Sequence, residues 1–384
     1  MKELESRLEQ RRSEGLYRKR RIIDSAQGVE TRIDGNRVLS FCSNDYLGLA
    51  NHPDIKQAFI DAVTEYGVGS GAAHLINGHS RLHEELEQRL AEFTGRERAL
   101  LFSTGYMANI AIASALLGRN DLVYQDKLNH ASLIDSAKLS DAKLIRYRHN
   151  DLRQLEALLS ESSRARRRLI MTDGVFSMDG DCVDLENLSR IAAEHGAWAM
   201  VDDAHGFGVL GSRGAGLLEQ LQLSPQQVPI LMATLGKAVG TAGAFVAGSK
   251  ALIETLIQQA RPYIYTTASP PAIAAATLKA IDIVEKETWR RDKLNESIAY
   301  FREQAQTLGL ELMPSQTAIQ PVVIGDNHKA LQISEALFEQ GIHVTAIRPP
   351  TVPVGSARLR VTLSAAHERE HIGRLIDALN TLSY

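Results

Sequence analysis

The chain has little cysteine: Cys42 and Cys182 are the only two in 384 residues. They lie far apart and neither sits in a Cys-x-x-Cys pattern. That excludes a disulfide framework and suggests two free thiols in a reducing compartment. Long apolar runs are also missing. No window approaches the roughly 18 apolar residues that a membrane span needs. The opening MKELESRLEQRR alternates charges and lacks the apolar stretch of a secretory signal. The expected location is the cytoplasm. Charge of one sign is scarce too: 43 Lys and Arg face 46 Asp and Glu, a net of -3. That argues against nucleic acid or an anionic membrane as the main partner. The one short basic run, Arg164 to Arg168, is interrupted by Ala165 and reads as a solvated connection. There is no internal repeat and no low-complexity segment.

What is present is a large apolar fraction, 44%, spread over a chain too long for one typical compact domain. Three segments are expected. Residues 1–45 hold an amphipathic lead-in helix over Met1 to Arg21, then short strand-like runs about the turn Asp34-Gly35-Asn36. Residues 46–270 alternate strand-like and helical stretches. Arg98 to Ser103, Asp121 to Tyr124, Lys143 to Tyr147, Leu169 to Thr172 and Trp198 to Val201 read as strands, with helical windows such as Met107 to Leu117 between them. This alternation predicts an α/β domain with a mostly parallel sheet covered on both faces, and ligands at the carboxyl ends of its strands. Residues 271–384 open on Pro270-Pro271. A long helical window, Ile273 to Thr307, follows, and then mixed strands and helices of a smaller α+β domain.

Four stretches carry chemistry. Ala233-Thr234-Leu235-Gly236-Lys237-Ala238 sets a lone lysine among small residues directly after a strand. Such an amine can form a Schiff base with an aldehyde cofactor. A phosphate loop of the Walker type fails here, because position 231 is Leu and the residue after the lysine is Ala238. Asp202-Asp203-Ala204-His205-Gly206 leaves a strand with an acid placed to meet a buried cation. Asp and His also suit metals, but no second ligand cluster lies nearby in sequence, so no metal is expected. Ser103-Thr104-Gly105-Tyr106 opens a helix and offers unpaired N–H groups to a phosphate. Asn129-His130-Ala131 places a histidine just before another helix, where it can stack on a flat ring, donate a proton, or simply cap.

Together these stretches resemble the fold type I, aspartate-aminotransferase-like enzymes that use pyridoxal 5'-phosphate (PLP). Ser43-Asn44-Asp45-Tyr46-Leu47-Gly48-Leu49 and Thr172-Asp173-Gly174-Val175-Phe176-Ser177 narrow the resemblance to the α-oxoamine synthases. It covers nearly the whole chain. It implies a cytoplasmic homodimer that condenses an amino acid with an acyl thioester and loses carbon dioxide. Lys237 would hold PLP, Asp202 would face the ring nitrogen and His205 the ring oxygen. Gly105, Tyr106, Ser177 and Thr234 would be further cofactor contacts. Thr266 and Thr267 would reach the phosphate from the second subunit. His130 would stack on the ring and donate a proton. Arg348 would hold the amino-acid carboxylate, with Arg18, Asn44 and Thr351 on the substrate side. The segment Ala346-Ile347-Arg348-Pro349-Pro350-Thr351 favours L-alanine with a pimeloyl thioester, carried on coenzyme A or on a carrier protein, over glycine with acetyl-CoA. Position 173 is Asp where some members carry Glu, and it receives no role.

Overall fold

The computed structural model describes residues 2–161 and 165–382. Arg164 of the basic run lies outside them. The chain forms two compact units. One comprises Met1–Asn51, Ser177–Asp181 and Trp289–Tyr384; the other comprises His52–Phe176 and Cys182–Thr288. The N-terminal and C-terminal segments of the sequence therefore share a unit.

The smaller unit holds β1 (Glu30–Ile33) and β2 (Asn36–Ser40), joined through Asp34 and Gly35. Both turn residues have positive φ, 50° and 80°, the requirement of a tight two-residue hairpin. Later strands complete the unit: β10 (Ile319–Gly325), β11 (Ile342–His343), β12 (Thr345–Ile347) and β13 (Ala357–Thr362). β11 pairs in parallel with β2, which ties the N-terminal hairpin to the C-terminal segment. β13 runs antiparallel between β10 and β12. The lead-in helix is shorter than its charge pattern suggests. It spans Lys2–Ser13 and stops at Gly15, whose φ is 67°. The Gly15 N–H bonds to the Arg12 carbonyl and the Leu16 N–H to that of Arg11, a Schellman closure. Arg18 thus lies beyond the helix, not within it.

The larger unit is built on seven strands: β3 (Arg98–Phe102), β4 (Leu122–Asp126), β5 (Lys143–Tyr147), β6 (Arg168–Asp173), β7 (Trp198–Asp202), β8 (Ile230–Thr234) and β9 (Ala244–Gly248). Their order is β3-β9-β8-β7-β6-β4-β5. Six run in one direction and β9 runs against them. Nine residues join β8 to β9, too few for the dozen or so that a parallel crossover requires. β6, β8 and β9 are buried almost throughout, as a sheet covered on both faces demands. The helix Gly105–Leu116 packs its Ala108, Ala111, Ile112 and Ala115 into the same core as Val123, Met171 and Val246.

Two readings change here. The long window Ile273 to Thr307 is two helices, Pro271–Lys286 and Trp289–Thr307. The break at Glu287 and Thr288 is where one unit gives way to the other. The basic run is not merely solvated. Arg166 donates from Nε and Nη2 to the fully buried Asp121, at 2.9 and 2.6 Å, and Arg167 Nη1 donates to the Leu116 carbonyl.

Candidate active site

Parallel pairing brings the ends of neighbouring strands level. Asp173, which closes β6, stands opposite Asp202, which closes β7. Asp126 and Thr234 close β4 and β8. Asp202 is buried, and its Oδ2 accepts from Asn109 Nδ2 at 2.8 Å while Oδ1 accepts from the Ala204 N–H at 3.1 Å. Asn109 also donates to Ser132 Oγ at 2.8 Å. Ser132 lies 2.7 Å from His130 Nδ1, and the His130 N–H donates to Asp173 Oδ2 at 2.7 Å. One chain of contacts therefore links Asp202, Asn109, Ser132, His130 and Asp173. Burial and the nearby Asp202 charge push the Asp173 carboxyl well above the usual carboxylate range. Desolvation draws the His130 imidazole down, against the pull of Asp202.

Lys237 follows β8 by three residues, and its Nζ lies 2.9 Å from His205 Nε2. Thr234 Oγ1 donates to the Ala204 carbonyl at 3.3 Å. A Cβ at Gly105 would fall 2.8 Å from Thr234 Cγ2, so the helix start can approach the end of β8 only without a side chain there. Thr104 caps that helix, accepting from the Met107 N–H. The Tyr106 hydroxyl bonds to Asp135, and the residue is 41% exposed. Thr266 and Thr267 follow the helix Arg261–Ile264, with Thr267 bridged to Ala73.

The remaining candidates lie in the smaller unit. Arg18 Nη2 donates to Thr351 Oγ1 at 3.2 Å. Arg348 donates to the Gly15 carbonyl, and its Nε is buried without a hydrogen-bond partner. Burial and the neighbouring Arg18 lower the Arg348 pKa. Asn44 Oδ1 accepts from Arg360 Nη2 at 3.3 Å, and Arg360 Nε donates to the Ser177 carbonyl at 2.7 Å. Arg360 thus joins two predicted residues, and the sequence reading missed it. Its signal was the alternation Arg358-Leu359-Arg360-Val361 within a strand, which turns both arginines to one face. Asn109 was missed for a similar reason. It sits one helical turn after Gly105, a lone amide in an alanine-rich helix.

Residues 36–379 match the profile of the class I and II aminotransferases. The chain belongs to that family. It is 59% identical to an 8-amino-7-oxononanoate synthase of Nitrosococcus oceani, over 97% of this chain and 98% of the relative. Among solved structures, an 8-amino-7-oxononanoate synthase of Francisella tularensis superposes with a TM-score of 0.79 at 34% identity, covering 90% of this chain and 97% of that one. A serine palmitoyltransferase from S. paucimobilis, solved with bound PLP and myriocin, superposes at 0.94 with 29% identity, covering 99% and 96%.

The strand-end residues of this aminotransferase-family chain fit a flat cationic ring with an anionic arm. The buried Asp202 carboxylate is held by two donors, and a carboxylate has about four acceptor positions. The side-chain-free approach at Gly105 leaves a helix start beside the Lys237 strand, where N–H groups suit a phosphate.

Proposed function

We propose that the chain catalyses the decarboxylative condensation of L-alanine with a pimeloyl thioester, giving 8-amino-7-oxononanoate, carbon dioxide and the free thiol. The observation that carries this is the 59% identity over 97% of the chain to a relative named for that product. The cofactor is PLP, which supplies an electron sink for the carbanion formed at the amino acid's α carbon.

The residues divide the work. Lys237 would hold the cofactor covalently, and its Nζ is the base for the α proton. Asp202, oriented by Asn109, would pair with the ring nitrogen and keep it protonated. His205 shares a hydrogen bond with Lys237 Nζ and so holds that amine in place. His130 would cover the ring face, with its Nδ1 committed to Ser132, and return a proton from its other nitrogen. Gly105, Tyr106, Ser177 and Thr234 would line the cofactor. Arg348 would grip the alanine carboxylate in a bidentate fork, with Arg18, Asn44 and Thr351 on the substrate side.

We read the enzyme as a homodimer in the cytoplasm. Val68, Leu75, Ile76 and Tyr265 of the larger unit are 82%, 49%, 80% and 72% exposed, an apolar group that a second copy would cover. Thr266 and Thr267 adjoin it, as residues donated across such an interface would. Neither cysteine forms a disulfide, and no helix among the described residues is long and apolar enough to cross a membrane.

The test is thiol release by PLP-loaded protein. Pimeloyl-CoA and a pimeloyl carrier protein are offered in turn, with L-alanine or glycine. Release that requires alanine and the pimeloyl group is the expected result. Release only with glycine and acetyl-CoA would overturn the substrate assignment and leave the lysine chemistry standing.

A further inference from the structure

Asp203 is a buried acid for which the chemistry above has no use. Successive residues at a strand end point to opposite sides, so Asp202 and Asp203 cannot serve one ligand. Asp203 has no exposed surface. Its N–H donates to the Met232 carbonyl of β8 at 2.8 Å, and its carbonyl accepts from the N–H groups of Gly206 and Phe207. His205 lies inside the turn that those two bonds close. The side chain reaches across the same loop to its far end: Oδ2 accepts from the Leu217 N–H at 2.8 Å, at the start of the helix Leu217–Gln220. Oδ1 has no hydrogen-bond partner.

Three glycines make room for this carboxyl. A Cβ on Gly174, Gly206 or Gly216 would stand 3.0, 2.1 or 2.0 Å from one of its oxygens. Gly216 has a φ of 100°, which favours glycine in any case. Gly174 and Gly206 have no such backbone demand; at Gly206 closeness to Asp203 excludes a side chain, and at Gly174 Asp203, Val201 and Leu217 together leave only a tight fit.

We propose that Asp203 is a positioning residue for this reaction: its carboxyl pins both ends of the loop over residues 203–217 and so sets His205 against Lys237. It touches no reacting group and acts through His205. Leaving a carboxylate oxygen buried and unpaired is expensive, so the group is held as the neutral acid. Burial pushes its pKa up to about 8; the Leu217 hydrogen bond opposes that rise, Asp202 adds to it and Lys237 lowers it. Those two are the charged groups that act on it. The loop and helix packed around it present Phe207, Leu210, Leu217 and the glycines. Ionisation would strengthen the Leu217 bond but leave charge on the buried, unpartnered Oδ1 beside Asp202, and the loop must shift to relieve it.

The proposal rests on the PLP reading above, and its test separates the two. PLP-loaded wild type, Asp203→Asn and Asp203→Ala are compared from pH 6 to 10, by kcat, by KM for alanine and by the absorbance of the bound cofactor. The amide of Asp203→Asn keeps an acceptor for Leu217 and cannot ionise. It should hold kcat within about threefold at pH 7, and its alkaline decline should begin at least about one pH unit above that of the wild type. Asp203→Ala should lose about tenfold or more in kcat with KM within about threefold, as small misplacement of a reacting group does. Its cofactor absorbance should titrate at a shifted midpoint. Profiles and titrations of Asp203→Asn that superimpose on the wild type would overturn the proposal, even if Asp203→Ala fails to fold. A wild type that neither binds PLP nor turns over would instead sink the functional reading.

Discussion

The two units bury charge of opposite sign. Among the described residues, the larger unit buries six acids, Glu87, Asp121, Asp126, Asp173, Asp202 and Asp203, against one arginine, Arg96. The smaller unit buries three arginines, Arg291, Arg358 and Arg360, against Asp45 and Asp179. A buried charge is tolerated only when paired or neutralised. The larger unit does much of this with protons, since Glu87, Asp173 and Asp203 all have raised pKa values. Under the proposed function it would receive a protonated ring nitrogen and the Lys237 amine. The smaller unit relies on fixed guanidinium forks, which suit a carboxylate ligand. Under the proposed function, one unit would serve proton chemistry and the other would hold an anion still.

The largest break in that picture would come from Lys237, which follows the end of β8. Lys237→Ala should lower condensation by at least about a thousandfold, because one side chain would serve as both anchor and base. The protein should still fold, which circular dichroism checks. Thiol release and PLP absorbance together check this. Appreciable turnover in the variant would show that another residue does the work.

The next effect belongs to the arginine-rich unit. Arg358 Nη1 meets Asp179 Oδ1 at 2.6 Å, with side chains 5% and 10% exposed. Asp179→Ala leaves a guanidinium in the interior and should cost about 3–5 kcal/mol in unfolding free energy. Replacing both partners, Arg358→Met with Asp179→Leu, should cost far less, because no charge remains to be desolvated. Equal losses in the single and double variants, measured by urea unfolding, would mean that shape rather than charge is at stake there.

How much of this was legible in the sequence depends on the range of the contacts. The strand-then-helix alternation is local, so the α/β unit and the carboxyl ends carrying Asp202 and Lys237 could be read directly. The direction of β9 was also within reach, since the short link after Thr234 excludes a crossover. Other features depend on partners far along the chain. Arg360 is defined by Asn44 and by Ser177, and Asn109 by Asp202. Nothing near Asn109 in sequence distinguishes it from a polar residue on a solvated helix face. The end of the first helix at Gly15 was readable and went unread, because the charge pattern continues through Arg21 while the backbone turns at the glycine. The roles of Asp173 and Asp203 required burial, which a run of strand-end acids does not reveal by itself.

The effect that is smallest per pH unit tests the neutral-acid half of the contrast away from the site. Glu87 lies on the helix Arg81–Phe93, with Oε1 accepting from the Leu101 N–H at 2.9 Å. Burial pushes its carboxyl up to about 8, Glu84 adds to the rise, and the Leu101 bond and Arg98 oppose it. In the unfolded chain the same group titrates near pH 4.3. Between those values the folded protein holds a proton that the unfolded chain has released. Its contribution to stability is therefore fully present in acid and is lost as the pH rises towards 8, at about 1.4 kcal/mol per pH unit at most. Glu87→Gln keeps the acceptor for Leu101 and removes the titration. Urea midpoints of the two proteins should coincide near pH 4 and diverge steadily up to pH 8, with the variant the more stable. A gap that stays constant with pH would show that Glu87 is ionised in the fold, and that the larger unit neutralises this buried acid with a cation after all.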